Sequence, residues 1–555
     1  VTFQQRIFIA LALCAAILFG YDLLVPKPPP PEPGAEDAKV EGKADGGEAD
    51  AEGKDADDAT RDAGRDDDAK EPAAPPTAPA HEIESHELRN DLLALTLTNR
   101  SPGRDGIVEN VHLLSPQFEG SPNATSSLGL GERRTLEISF GESDVRIPAT
   151  AAYEVRDVGP HHVTFGYRDA LVDVEERVEL LPAGYEARMA VKITNLDDRP
   201  QRHQLTLRTQ VGTAGEDRYD LARGLCRTTE DMEYEDKSDV EDDGPIRYSS
   251  IVWGGVDRKY FAALVVPVDG ASECEIAEDK DAGTLVNTLE GDRVELGRGE
   301  SRTYEVGLYF GPKELERLQA FSAVSSDAEL EEAIDWGFFG GLSKALGKLL
   351  LGLMRWFYGL VGSWGVAILL MTVVVKLLTL PLTLKQMRSM KRMKEIQPEM
   401  AKIKEKYADD RVKQGQEMQA LFARSGANPL AGCLPMIVQM PIWFALYSML
   451  GAAVELVHVP FLWLPDLTKQ DPFYALPLAL GALMILQNRL MPSMGGDAAQ
   501  QKMMRWFMPI MFTVFMLFLP SGLGVYIFAN ILLSLVQTVI QVGTNKTTTD
   551  EPAAS

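Results

Sequence analysis

Five apolar segments crowd the last 200 positions, at roughly 357–380, 431–454, 473–490, 506–520 and 523–541. Each approaches the length of about 20 apolar residues that crosses a bilayer core. A sixth run, IFIALALCAAILFGYDLLV at 7–25, follows Arg6. No A-x-A-like cleavage site follows it, and Leu13 stands before Cys14 where a lipoprotein signal takes a small residue. It reads as an uncleaved anchor with Arg6 on the cytoplasmic side. The chain is therefore expected to be a multi-pass α-helical membrane protein with six transmembrane helices. The formal net charge of -26 would by itself suggest an acidic soluble protein. That average misleads, because acidic residues gather in the first 330 positions and a basic island lies among the apolar segments.

The island fixes the orientation. Lys385, Arg388, Lys391, Arg392, Lys394, Lys402, Lys404, Lys406, Arg411, Lys413 and Arg424 face Glu395, Glu399, Glu405, Asp409, Asp410 and Glu417, an excess of five positive charges. Positive loops stay in the cytoplasm, so 382–429 is cytoplasmic, both termini are cytoplasmic, and the region between the anchor and 356 is outside. Arg489, Lys502 and Arg505 flank the next cytoplasmic loop. The island reads as two helices, about 383–407 and 411–425, with a turn near Ala408–Asp410. Met387, Met390, Met393 and Met400 recur along the first; methionine suits adaptable contact surfaces. Anionic phospholipid contact and client or ribosome contact both fit the segment.

The outer region divides in three. Residues 26–80 hold Pro, Ala, Gly, Asp, Glu and Lys with almost no large apolar side chain, a disordered linker by composition. Residues 81–325 carry short alternating runs, among them LLALTLT (92–98), YEARMAVKITN (185–195) and RTYEVGLYF (302–310), separated by turn clusters. These predict a large extracytoplasmic all-β sandwich. Residues 326–355 form an amphipathic segment with Trp336, Phe338, Phe339, Leu342, Leu346, Leu349 and Leu350 on one stripe. Two placements stay open for it: a helix in the outer interface, or one packed on the β domain.

Catalytic and metal signatures are missing. The β region holds His81, His86, His112, His161, His162 and His203, but adjacent strand residues point to opposite faces, so His161 and His162 do not share a ligand. No HExxH, GxSxG or phosphate-binding glycine loop occurs, and no cofactor is expected. Paired carboxylates of a sugar-active sandwich are weighed against a solvated acidic surface, and the surface is favoured. Cys14 and Cys433 lie in apolar runs as packing residues. Cys226 and Cys274 can pair only if their domain is extracytoplasmic, and the demanding geometry of a disulfide leans against it.

Within the spans, histidine is absent and no carboxylate lies deep in the last five, which argues against a proton-coupled transporter. One lysine, Lys376, sits in VAILLMTVVVKLLTLPLT. It either snorkels to the cytoplasmic headgroups or faces a polar cavity. Thr372, Gln439, Tyr447, Tyr526, Asn530 and Gln537 are candidates to line such a cavity; each alone is more often a helix–helix hydrogen bond.

Read in order, GSWGVAILLMTVVVKLLTLPLT, NPLAGCLPMIVQMPIWFALYSML, DPFYALP and QQKMMRWFMPIMFTVFMLFLPSGLGVYIFANILLS closely resemble the YidC/Oxa/Alb membrane insertase family over about 355–541. The anchor, linker and β domain resemble its Gram-negative form. The resemblance implies a hydrophilic groove open to cytoplasm and lipid, a basic residue in it at the position of Lys376, polar groove positions matching Gln439 and Tyr526, and a mobile cytoplasmic segment matching the hairpin. The family's usual arginine is a lysine here, which keeps the charge but loses the bidentate fork. Implied partners are nascent membrane protein clients, the ribosome and the Sec translocon, with no direct nucleic-acid contact. The expected layout is an anchor (1–25), linker (26–80), periplasmic β sandwich (81–325), interfacial helix (326–355), five-helix insertase core (356–541) with the hairpin at 382–429, and a cytoplasmic tail (542–555). A channel or transporter, and an envelope enzyme built on the β domain, are the rival functions.

Overall fold

The computed structural model describes residues 82–100, 107–118, 135–141, 143–145, 147–148, 151–213, 220–324, 328–337, 340–425, 429–490 and 506–547. The expected anchor and linker lie outside the described residues, as do Phe338, Phe339 and most of the C-terminal tail.

Strand formation follows the period of two. Residues 172–180 read VDVEERVEL, and Val172, Val174, Glu176, Val178 and Leu180 are buried while the residues between them are less so. One antiparallel sheet takes in every strand among the described residues. Its first part runs β1 (Ser85–Arg89), β2 (Leu93–Thr98), β3 (Val108–Leu113), β4 (Leu136–Gly141), β9 (Gln201–Gly212), β15 (Thr284–Leu296) and β14 (Ala271–Asp279). It continues through β12 (Ile246–Asp257), β13 (Phe261–Pro267), β16 (Ser301–Pro312), β8 (Glu186–Asn195), β7 (Val172–Leu180), β6 (His162–Arg168) and β5 (Glu154–Val158). Two short strands, β10 (Arg223–Thr228) and β11 (Met232–Asp236), join at β12.

A strongly twisted sheet of this length folds over on itself. Here β1 meets β6 and β9 meets β13 across the interior. His203 on β9 bonds the Tyr304 hydroxyl on β16 at 2.8 Å. The expected sandwich is thus one continuous sheet in two layers. The corner is β12, which pairs with β14 through Ile246–Ile251 and with β13 through Gly254–Asp257. Gly255 makes the bend, since a Cβ there would stand 2.2 Å from the Ala263 carbonyl oxygen. Cys226 on β10 and Cys274 on β14 meet beside that corner and form a disulfide, with Cα atoms 6.1 Å apart. The expectation that leaned against this pair is corrected: both strands pair with β12, one after the other along its length.

Two short helices decorate the domain, α1 (Lys237–Asp243) and α2 (Leu315–Gln319). After α2 the chain straps back across the sheet. Leu330, Ala333, Ile334 and Trp336 are buried, Trp253 Nε1 donates to the Ala328 carbonyl at 2.6 Å, and Arg223 reaches Asp335 at 3.4 Å. The expected helix over 326–355 is therefore divided. Its first part, with Trp336, is this strap. The helix itself, α3, covers Gly340–Val361. Lys344 bonds Glu332 and Lys348 bonds Glu331 at 2.9 Å, tying α3 to the strap. Gly362, at φ +65°, ends it by returning its N–H to the Tyr358 carbonyl.

Five long or medium helices and one short one follow. They are α4 (Trp364–Lys406), α5 (Arg411–Ser425), α6 (Pro429–Ala452), α7 (Ala475–Leu490), α8 (Met508–Met516) and α9 (Ser521–Thr547). Among the described residues, two stretches are long and apolar enough to cross a membrane, Trp364–Gln386 and Ser521–Val539. The 16 residues of α7 extend about 24 Å. In the segment expected at 506–520, α8 takes nine residues and a wider π-type turn at 506–507 precedes it. Its end tightens, with Phe518 N–H turning to Phe515 O and Leu519 N–H to Met516 O, before Pro520. The expected span at 357–380 begins on the end of α3, and from Trp364 onward it and the first hairpin helix expected at 383–407 are one continuous α4, with Pro381 and Pro398 inside it. α3 packs on α4 and α6, and α9 on α4 and α7.

Candidate functional site

The α4–α9 seam carries the candidate site. Apolar residues surround Lys376 on α4, which is half-buried. Its ammonium donates to Asn530 Oδ1 at 3.2 Å and to Ser534 Oγ. Ser534 Oγ in turn donates to the Asn530 carbonyl at 2.8 Å, and Thr538 Oγ1 to the Ser534 carbonyl at 2.8 Å. Tyr526, Asn530, Ser534 and Thr538 are spaced four apart, so they stack on one face of α9. That face turns toward the lysine.

The other expected groove residues divide. Tyr526 is fully buried one turn before Asn530. Thr372 is buried one turn before Lys376, and its hydroxyl returns to the Ile368 carbonyl at 2.7 Å. Both sit on the seam without bonding the ammonium. Gln439 and Tyr447 are half-buried on α6; the Tyr447 ring stacks on Trp443, centroids 6.0 Å apart. Neither bonds Lys376 among the described residues. Gln537 Nε2 is enclosed with no hydrogen-bond partner among the described residues. Ser534 and Thr538 were missed by sequence reasoning; the signal was a four-residue spacing that continues from Tyr526 and Asn530.

Around this seam the helices show apolar side chains to the outside. Leu377 and Leu378 on α4 are 61% and 74% exposed, and Val536 and Val539 on α9 are also exposed. An apolar outer belt thus lies beside a half-buried cation.

The basic hairpin extends from the same α4. Lys385, Arg388 and Arg392 are exposed. The side chains of Met387, Met390, Lys391 and Lys394 lie outside the described residues. Met393, however, packs with Met400, Ile403, Met418 and Phe422 around buried Ile396 and Leu421. The expectation that Met393 and Met400 belong to an open contact surface is corrected: they hold α4 and α5 together.

The β domain meets the bundle through charge. Gln117 Nε2 donates to the carbonyls of Val454, Glu455 and Val457 at 3.2–3.3 Å. Arg355 on α3 bonds Glu455 and, at 2.8 Å, Glu316 on α2. Nearby, buried Asp257 accepts from Arg223 at 2.8 and 3.0 Å and from Lys313 at 2.8 Å. Burial would raise the Asp257 pKa, but the charges of Arg223 and Lys313 hold it below the usual carboxylate value. No cluster of three or more metal-ligating side chains occurs among the described residues.

Comparison with known proteins bears on the whole chain. A family model described as 60Kd inner membrane protein matches residues 356–548, and one described as YidC periplasmic domain matches residues 99–349. A curated relative from Oleidesulfovibrio alaskensis, named "Membrane protein insertase YidC", is 34% identical over 77% of this chain and 78% of its own length. The chain belongs to the YidC family. A YidC relative from Anaeromyxobacter sp. (strain Fw109-5) is 41% identical over 57% of this chain. That match spans a little over half of the relative's length, 56%. A solved structure titled "Active YidC insertase crystal structure with the first transmembrane domain resolved" aligns with 83% of this chain and 93% of its own, at 17% identity and a TM-score of 0.35. The two YidC-family matches make this an inner-membrane protein with a β-rich periplasmic domain ahead of a helical region.

Proposed function

We propose that the chain inserts transmembrane segments of other proteins into the inner membrane, and assists their folding, without nucleotide hydrolysis. The observation that carries this reading is the half-buried Lys376 ammonium on the polar seam of α9, behind an apolar outer wall. A client's short polar tail would enter along that seam, where fixed dipoles and one cation offset its desolvation. Acidic tail residues would be drawn to Lys376. The apolar client segment would then move into lipid beside Leu377 and Leu378, each leucine or isoleucine gaining roughly 0.3–0.6 kcal/mol. The membrane potential favours outward movement of negative charge by about 2.3 kcal/mol per charge per 100 mV.

In this reading Thr372, Gln439, Tyr447, Tyr526 and Asn530 line the groove with Lys376. Lys385, Arg388, Lys391, Arg392 and Lys394 meet anionic phospholipid, client or ribosome, and Met387, Met390 and Met393 belong to the same hairpin. The chain crosses the membrane six times, with both termini in the cytoplasm. The Sec translocon is a further partner. The Cys226–Cys274 disulfide supports the outward placement of the β domain, because such bonds persist in oxidising compartments. The exposed stripe of Leu342, Leu349, Trp356 and Leu360 on α3 supports a helix at the outer interface.

Complementation of an insertase-depleted strain tests the reading. Wild type and Lys376→Arg are expected to restore insertion of clients with acidic tails, and Lys376→Ala to fail with them. Equal insertion by Lys376→Ala would remove the charged groove from the mechanism.

A further inference from the structure

A lysine in a membrane helix has an alternative to facing inward: its flexible stem can run along the helix to the headgroups. Lys376 lies 12 residues into α4, about 18 Å from its outer end, leaving about 12 Å of a 30 Å bilayer core on the cytoplasmic side. The neighbouring Leu377 and Leu378 face outward. Stretching toward the cytoplasm is therefore open to this side chain unless something holds it.

Two acceptors do so. Asn530 and Ser534 lie 9 and 13 residues into α9, at a depth of about 14–20 Å from its outer end, level with Lys376. Ser534 spends its own proton on the Asn530 carbonyl, so its oxygen is left to accept from the ammonium. The Thr372 and Thr538 hydroxyls also donate to backbone carbonyls of their own helices, and among the described residues the ammonium bonds Asn530 and Ser534 instead. With two ammonium protons on Asn530 and Ser534, the third has no acceptor among the described residues and can serve a ligand.

We propose that Asn530 and Ser534 are positioning residues that hold the Lys376 ammonium in the groove, with one proton directed at an incoming client carboxylate. The proposal rests on the insertase reading and adds to it how the charge is kept from the lipid interface. A compact ammonium with three donors suits this pair of acceptors one turn apart.

The test uses the full chain in proteoliposomes and two clients that differ only by Asp or Asn in the translocated tail. The Asp client is expected to insert faster with wild type. In Asn530→Ala/Ser534→Ala that preference, read as the ratio of Asp-client to Asn-client insertion, is expected to fall roughly tenfold, the scale of one charge-assisted hydrogen bond. Ser534→Thr, which keeps the acceptor, is expected to behave as wild type. Adding both alanines to Lys376→Ala is expected to change nothing more. If Lys376→Ala loses the preference but the double variant keeps it, the positioning role is wrong and the insertase reading stands. If Lys376→Ala itself keeps the preference, the charged groove falls and this role with it. Equal loss for both clients in the double variant would mean a structural defect, and would also overturn the proposal.

Discussion

Glu176 points into the sandwich from β7, with Tyr153 beside it and its Oε1 without a partner among the described residues. Burial pushes its pKa from 4.5 up to about 8. An unfolded chain ionises this group near 4.5, while the folded one keeps its proton to about 8. Between those values the native state holds more protons, so rising pH costs stability by about 1.4 kcal/mol per unit, and the loss levels off above 8. Glu176→Gln is expected to be more stable than wild type at pH 8 and to show a flatter profile from pH 5 to 8. Denaturant unfolding of the full chain in detergent, followed by strand circular dichroism, measures this. An unchanged slope would mean that Glu176 is ionised in the fold. At this scale the sequence was informative where a residue broke a pattern. Lys376 stood out as a charge in an apolar run. Ser534 did not, because a serine in a membrane helix is ordinary, and only the register between α4 and α9 gives it a partner.

Among elements, α3 is the joint between the sheet and the bundle. Its lysines reach back to the strap, and Arg355 reaches both Glu316 and Glu455. Glu455 is mostly buried, so removing the guanidinium leaves a carboxylate with few substitutes in water. Arg355→Ala is expected to weaken the docking of the β domain by roughly 1–3 kcal/mol. Limited proteolysis around residues 313–340 should then accelerate without loss of the sheet signal; unchanged cleavage would show that Gln117 and the apolar contacts suffice. The amphipathic pattern over 326–355 was readable, but not its division. Trp336 fits a helical stripe by spacing, yet Gly337 at φ +79° turns the chain before the helix starts. The hairpin taught a similar lesson: Met393 and Met400 look like an open surface until α5 covers them.

For the whole molecule, strand alternation and charge segregation were enough to separate a β-rich outer part from a helical inner part. Closure of the sheet was beyond such reading, because pairing across long sequence distances leaves no local mark. The disulfide was hidden for the same reason. It joins positions 48 apart, and Cys226→Ser/Cys274→Ser is expected to lower stability by about 2–4 kcal/mol. Thermal unfolding with and without reductant checks this: wild type should shift down on reduction and the double variant should not. A reductant effect of equal size on both would assign it elsewhere. The continuity of α4 was also concealed, since Pro381 reads as a stop. In the fold the 43 residues form one helix about 65 Å long, with Lys376 on one arm and the basic hairpin on the other. Proline removes a backbone bond and permits bending at that point. Pro381 lies five residues past Lys376, so a bend there would fall between Lys376 and the basic hairpin. Such a joint lets the hairpin swing while Lys376 keeps its place against α9.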